Sequence, residues 1–249
     1  MKRFMKILLI VMAVFSAFAI LETSLFIADY LKEYRVGSYV YSELLAEATN
    51  QELGSDAENP EESGAIDFDK LQKINPDIVG WIEVPDTRIS YPIVKRENDN
   101  DYYLDHLFDG TENKAGCIFM DTRSSFGDTH VLIHGHNMGN GSMFRDLELF
   151  KNRAFFNDHP NYLIYTPEKT YQVAIFAGSV VRIDSPVWQL DFENPGDWNR
   201  WMSECRNASS VSRSTVLSPE DQIITLSTCS YEYTQARWVL QGCLKELPD

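Results

Sequence analysis

The residues whose types and spacing could do covalent chemistry are a cysteine, an arginine and a group of histidines. Thr225-Leu-Ser-Thr-Cys229 is followed, eight residues after the cysteine, by Arg237. Residues 223–229 alternate with period two and are rich in β-branched side chains, so they read as a strand. Ile224 and Leu226 then share one face, and Thr225, Ser227 and Cys229 the other. A polar loop, Ser230 to Ala236, leads into a second strand at Arg237-Trp-Val-Leu. If that hairpin is symmetric, Cys229 and Arg237 are directly opposed and project from one side of the sheet, with Cβ atoms roughly 5 Å apart.

The histidines cluster in Thr129-His130-Val-Leu-Ile-His134-Gly-His136-Asn-Met. A strand from His130 that ends near Gly135 leaves His136 at the start of a loop. Imidazole is the natural proton carrier near neutral pH, and a histidine beside a cysteine is one way to activate a thiol. Arginine stays protonated, so its place is as donor to a developing oxyanion. Cys229 as nucleophile, His136 as acid and base and Arg237 as oxyanion stabiliser make a complete acyl-transfer set. Plainer readings stand beside this one. Cysteine at a strand end can be purely structural, and an arginine opening a strand can be a solvated edge residue. His130, His134 and His136 could also ligate a metal, although a His-x-His pair without a fourth ligand is a weak signal.

These residues need a scaffold, and composition limits the choices. The chain has 249 residues, 44% of them hydrophobic and 12% aromatic, enough for one good-sized domain with appendages. Its net charge of −15 repels polyanions, which argues against nucleic acid as a partner. Lys2, Arg3 and Lys6 precede an apolar run from Ile7 to Leu21, the pattern of an export signal. Ala17-Phe18-Ala19 resembles a cleavage site. Apolar residues nevertheless resume at Leu25, Phe26, Ile27 and Ala28 with helical spacing, which favours an uncleaved signal-anchor over residues 1–29 with its N-terminus in the cytoplasm. The four cysteines, Cys117, Cys205, Cys229 and Cys243, lack metal-ligand pair spacing; Cys117, Cys205 and Cys243 read as core residues.

Residues 30–65 read as a helical stalk followed by an acidic flexible spacer over 50–64. The globular part, 66–249, opens with a short helix at Phe68–Ile74. Eight strands follow, at Ile78–Val84, Ile89–Val94, Ala115–Met120, His130–Ile133, Asn161–Tyr165, Tyr171–Val181, Ile223–Thr228 and Arg237–Leu244. Helical segments interrupt them around Ser142–Phe150 and Asp197–Asn207. This mainly-β pattern of short, regularly spaced strands predicts a closed or nearly closed barrel with peripheral helices.

Over residues 66–249 the chain resembles class B sortases, cell-surface cysteine transpeptidases of Gram-positive bacteria. Thr225-Leu-Ser-Thr-Cys229 with Arg237, and Ile133-His-Gly-His136-Asn-Met with Gly141-Ser-Met-Phe144, are similar to the family's cysteine and histidine segments. Gly80-Trp-Ile-Glu-Val-Pro, Ile89-Ser-Tyr-Pro-Ile-Val, Asp99-Asn-Asp-Tyr-Tyr-Leu104 and Ala115-Gly-Cys-Ile-Phe-Met-Asp121 are further class B-like blocks.

The resemblance implies an eight-stranded barrel with an N-terminal helix and a helix between the sixth and seventh strands, held outside the cell by the membrane anchor. It implies catalytic roles for His136, Cys229 and Arg237, and sorting-peptide contacts at Asn100, Leu104 and Ser227. Leu104 also reads as a core residue, and Asn100 as a turn cap. The implied substrate is a secreted protein with a C-terminal N-P-x-T-x signal. The implied acceptor is an amine of a peptidoglycan precursor or a pilin-like subunit, and no metal or organic cofactor is called for. An exported cysteine peptidase and a non-catalytic peptide-binding module are the alternatives. The chain departs from the class pattern at His134, where tyrosine is frequent, and at Ser230, where some members have glutamate. Trp188 stands near a groove aromatic of the family.

Overall fold

A computed structural model describes residues 2–49 and 66–248; the spacer expected over 50–64 lies outside the described residues. Nine strands form one sheet: β1 (Ile78–Glu83), β2 (Ser90–Val94), β3 (Ile118–Met120), β4 (His130–His134), β5 (Asn161–Tyr165), β6 (Thr170–Arg182), β7 (Val211–Ser212), β8 (Gln222–Cys229) and β9 (Ala236–Glu246). Their order is β5-β1-β2-β3-β4-β8-β9-β6-β7, and an additional pairing of β5 with β6 closes eight of them into a barrel. The two-residue β7 lies outside the ring on β6. Closure leaves no long edge in need of a partner. Two pairings, β2 with β3 and β4 with β8, are parallel, so the C-terminal ends of β4 and β8 reach the same rim.

Strand alternation divides the apolar side chains between two cores. Ile224, Leu226 and Leu240 point into the barrel with Ile82, Ile93, Ile133 and Val173, all buried. Ile223, Val239 and Cys243 face outward and pack under α4 (Pro195–Ala208). That helix starts at Asn194, whose side chain accepts from the Asp197 amide, with proline at the first helical position. Trp198, Trp201, Met202 and Cys205 follow at one-face helical spacing and are its buried stripe. The helix thus roofs one end of the outer face of β8 and β9, leaving the end with Cys229 and Arg237 less covered.

The segment expected as a helix over Ser142–Phe150 is a 3-10 helix, Phe144–Lys151. Its buried residues explain the tighter winding: Phe144, Leu147 and Phe150 recur every three residues, the repeat of a 3-10 turn. A short α3 (Arg153–Asp158) follows, capped by Asn152, whose side chain accepts from the Ala154 and Phe155 amides. Neither α3 nor β7 is visible in the periodicity of the sequence, because each is too short to show a full repeat.

Helix α1 is continuous from Lys2 to Thr49. Its Arg3–Ala28 stretch, 26 residues with a mean hydropathy of 2.6, is long and apolar enough to cross a membrane. The last turns are different, because Tyr41, Leu44 and Ala48 are buried in the same core as the barrel. Tyr41 lies edge-on to Tyr91, with ring centroids 5.2 Å apart, and its hydroxyl donates to the Gly116 carbonyl at 2.7 Å. The short α2 (Phe68–Ile74) begins where the Asp67 amide donates to the Ala48 carbonyl.

Candidate active site

The β8–β9 hairpin has the symmetric register that the loop length predicts: Ser227 opposes Val239 and Cys229 opposes Arg237. Cys229 is half-buried, whereas Cys117, Cys205 and Cys243 are buried, and all four are free. Burial pushes the Cys205 and Cys243 thiols up to about 11 and Cys117 higher still, which makes them poor nucleophiles. Arg237 is half-buried and donates to the neighbouring Ala236 carbonyl at 3.1 Å. No carboxylate among the described residues pairs with it.

The histidine segment reaches this rim because β4 runs parallel to β8, pairing His134 with Ser227. One residue further, the Gly135 amide donates to the Ser227 carbonyl at 3.1 Å. Glycine is required there, since a Cβ would collide with Ile118 and with the Phe144 ring. The loop that follows is closed by the Phe144 amide donating to the His136 carbonyl at 2.9 Å. At its far side Gly141, with φ +90°, leaves room for Arg88, which forms an ion pair with Asp146 at 2.6 Å.

His136 and Cys229 are not hydrogen-bonded to each other in this structure. The His136 imidazole donates from Nε2 to the Leu104 carbonyl at 2.7 Å. A carbonyl can only accept, so this contact requires a proton on Nε2. The bridge between the two segments is Asn137. Its Nδ2 donates to the Cys229 carbonyl at 2.8 Å and to Glu148 Oε1 at 3.1 Å, while its Oδ1 accepts from Arg145 at 3.0 Å.

Of the other expected site residues, Leu104 lies beside His136 through its carbonyl, whereas Asn100 and Ser227 are held by neighbouring segments. Leu104 closes a 3-10 turn and its side chain is 39% exposed, so it is not a core residue. Asn100 Oδ1 accepts from the Thr122 amide at 2.8 Å and anchors its loop to the chain just after β3. Ser227 is buried between His134 and Val239 in the ladder. His134 packs near Phe119 and Trp188, with ring centroids 5.3 and 6.5 Å away, and its Nε2 is 3.7 Å from Asp121. Burial opposes ionisation of Asp121, yet His134 and the side chain and amide of Arg123 hold its carboxyl well below the usual carboxylate range. Ser230 is buried and hydrogen-bonded to Lys151 and Glu232.

The three clustered histidines therefore go to three different partners. Among the described residues no group of His, Cys, Asp and Glu gathers as metal ligands would. His130 is buried on the outer face of β4, its Nδ1 donating to the Gln189 carbonyl at 2.7 Å and its Nε2 accepting from Thr225 Oγ1 at 2.8 Å. Burial pushes its pKa down to about 4, with the Gln189 carbonyl pulling weakly the other way. The unfolded chain takes up this proton near pH 6.5 and the folded one only near 4, so folding stability is expected to drop by roughly 3 kcal/mol across that interval as pH falls. Urea unfolding from pH 7 to 4.5 checks this against His130→Gln, whose midpoint should slope less. Equal slopes would assign the acid sensitivity elsewhere.

Sequence reasoning missed Asn137, Glu148 and Lys151. A polar residue directly after His136 was the only local hint, because its partner Cys229 is 92 residues away.

Comparison with known proteins agrees with this architecture. The model of the sortase domain matches residues 82–245. Sortase B of Listeria monocytogenes is 38% identical over 178 residues, 70% of this chain and 72% of that protein. Sortase B of Staphylococcus aureus is 30% identical over 170 residues, 68% of this chain and 69% of that protein. Among solved structures, a Staphylococcus aureus sortase B–substrate complex superposes with a TM-score of 0.76 at 26% identity, covering 87% of this chain and 100% of that one. Clostridium perfringens sortase B superposes with a TM-score of 0.68 at 32% identity, covering 72% of this chain and 100% of that one.

Proposed function

The chain belongs to the sortase family and within it to class B, the cysteine transpeptidases, and on that premise we propose that it processes sorting signals of the N-P-x-T-x kind through a thioacyl-enzyme on Cys229. The observation that carries this reading is the opposition of Cys229 and Arg237 at a rim to which Asn137 ties the His136 loop.

The Cys229 thiolate adds to the threonine carbonyl of the signal, forming a C–S bond and a tetrahedral oxyanion. Arg237 donates to that oxyanion, a role suited to a guanidinium that pairs with no carboxylate among the described residues. Collapse of the intermediate breaks the C–N bond, and protonated His136 gives its proton to the departing amine. In the second half an acceptor amine attacks the thioester and loses a proton to His136. The new amide forms as Cys229 leaves as thiolate. Protein and peptide groups suffice for every step, so the proposal includes no metal or organic cofactor.

Asn100, Leu104 and Ser227 are proposed to contact the signal peptide, Leu104 through its exposed side chain. The acceptor is proposed to be an amine of a peptidoglycan precursor or of a pilin-like subunit. Helix α1 is proposed to cross the cell membrane with its N-terminus inside and the barrel outside.

The test is partition of the acyl-enzyme. With the full-length chain in detergent micelles and fluorogenic N-P-x-T-x peptides, added oligoglycine or diaminopimelate amines should convert product from free acid to amide in proportion to their concentration. Cleavage that yields acid alone at every amine concentration would make the chain a hydrolase instead.

A further inference from the structure

We propose that Asn137 is a positioning residue: its side-chain amide sets the spacing between the His136 loop and the Cys229 strand end, and so the rate of thiol chemistry. The inference rests on the site proposed above and concerns a residue that touches neither substrate nor reacting atoms.

Asn137 is 8% exposed, and its side chain ties the His136 loop and the nearby 3-10 helix to the sequence-distant end of β8. It donates to the main chain of Cys229, stands next to His136, and is gripped by Glu148 and Arg145 from the 3-10 helix Phe144–Lys151. The grip extends further. Lys151 donates to Glu148 at 3.1 Å, to Ser230 at 2.9 Å and to Glu232 at 2.7 Å. Its ammonium lies 5.5 Å from the Trp238 ring centroid, beneath the strand that carries Arg237. Lys151 and the Ser230 hydroxyl hold the Glu232 carboxyl down to about 2, so this end of the network keeps its charge throughout the neutral range.

The geometry gives Asn137 a specific task. Beyond Cys229 the hairpin opens into its loop, and the Cys229 carbonyl is taken by Asn137 rather than by a strand. On the other side the His136 carbonyl accepts from Phe144, which begins the same 3-10 helix. The backbones that carry imidazole and thiol are therefore referenced to one helix, His136 through the Phe144 amide and Cys229 through the Asn137 side chain. Acid–base transfer between two side chains tolerates errors of only about 0.5 Å. A space-filling apolar residue could occupy the position but could not transmit that reference.

Two variants of the full-length chain in detergent micelles test this. Asn137→Ala removes the bridge. Asn137→Asp keeps the shape and the acceptor for Arg145 but has no N–H for the Cys229 carbonyl. In both, kcat on an N-P-x-T-x peptide is expected to fall about 10- to 100-fold with KM little changed. Because the other three cysteines are buried, iodoacetamide reports Cys229, and its rate at neutral pH should fall about threefold or more. Wild-type kcat in either folded variant, or a rise in KM alone, would overturn the proposal. So would unfolding of both at the assay temperature, which would make Asn137 merely structural. If the wild-type chain cleaves no peptide, the sorting-signal reading fails separately. The alkylation comparison then decides, and unchanged rates would overturn the positioning role.

Discussion

Cys229→Ala is expected to abolish both peptide cleavage and the acyl-enzyme, while sorting-peptide affinity stays within about threefold of wild type. Deleting a nucleophile from a cooperating set costs on the order of 10⁶-fold, because the remaining groups have nothing to assist. No other thiol can substitute, since Cys117, Cys205 and Cys243 are buried and their thiols pushed up. Intact-mass spectrometry after mixing with peptide should show the thioester on wild type and none on the variant. Arg237→Lys is the graded companion. It keeps the charge but loses the planar fork, and kcat should fall about 10²- to 10³-fold if the guanidinium donates to the oxyanion. An alanine variant that still cleaves, or a lysine variant at wild-type kcat, would remove these residues from the mechanism.

The second large effect concerns where the folded unit begins. A chain starting at residue 66 is expected to be less stable than one starting at Gly37 by on the order of 5 kcal/mol, a large share of a domain's net stability. The reason is that Tyr41, Leu44 and Ala48 complete the barrel's own core. Removing them strips the cover from Tyr91 and Phe108, whose rings lie 5.2 and 5.4 Å from the Tyr41 ring. It also leaves the Gly116 carbonyl without the Tyr41 hydroxyl and the Asp67 amide without the Ala48 carbonyl. Thermal unfolding of residues 37–249 against 66–249 measures the difference, with Tyr41→Ala in the longer chain as a milder step. Melting points within about 2 °C of each other would show the docking to be energetically idle. The docked turns also continue directly into the apolar part of α1, so the barrel and the proposed membrane span share one helix.

Local pattern was enough for most of the barrel. Period-two alternation located the strand containing Ile224 and Leu226, and the helical segment expected around Asp197–Asn207 is α4, because both patterns repeat within a few residues. The opposition of Cys229 and Arg237 was legible for the same reason, since a hairpin register depends only on its own loop. The 3-10 winding of Phe144–Lys151 was not, although Phe144, Leu147 and Phe150 already carried its three-residue repeat. Three apolar positions also fit an α-helix over so short a span.

By itself, then, the sequence determined the residue types available for thiol chemistry, the strands that carry them and the class to which they belong. Tertiary structure alone decided what lies between those strands. The docking of Tyr41 on Gly116, the contact of His136 with the Leu104 carbonyl and the bond from Asn137 to Cys229 all join segments distant in sequence. The Asn137–Cys229 bond forms only when the parallel pairing of β4 with β8 brings their C-terminal ends to one rim, because a side chain's partner is set by distance in space and local sequence carries no record of it.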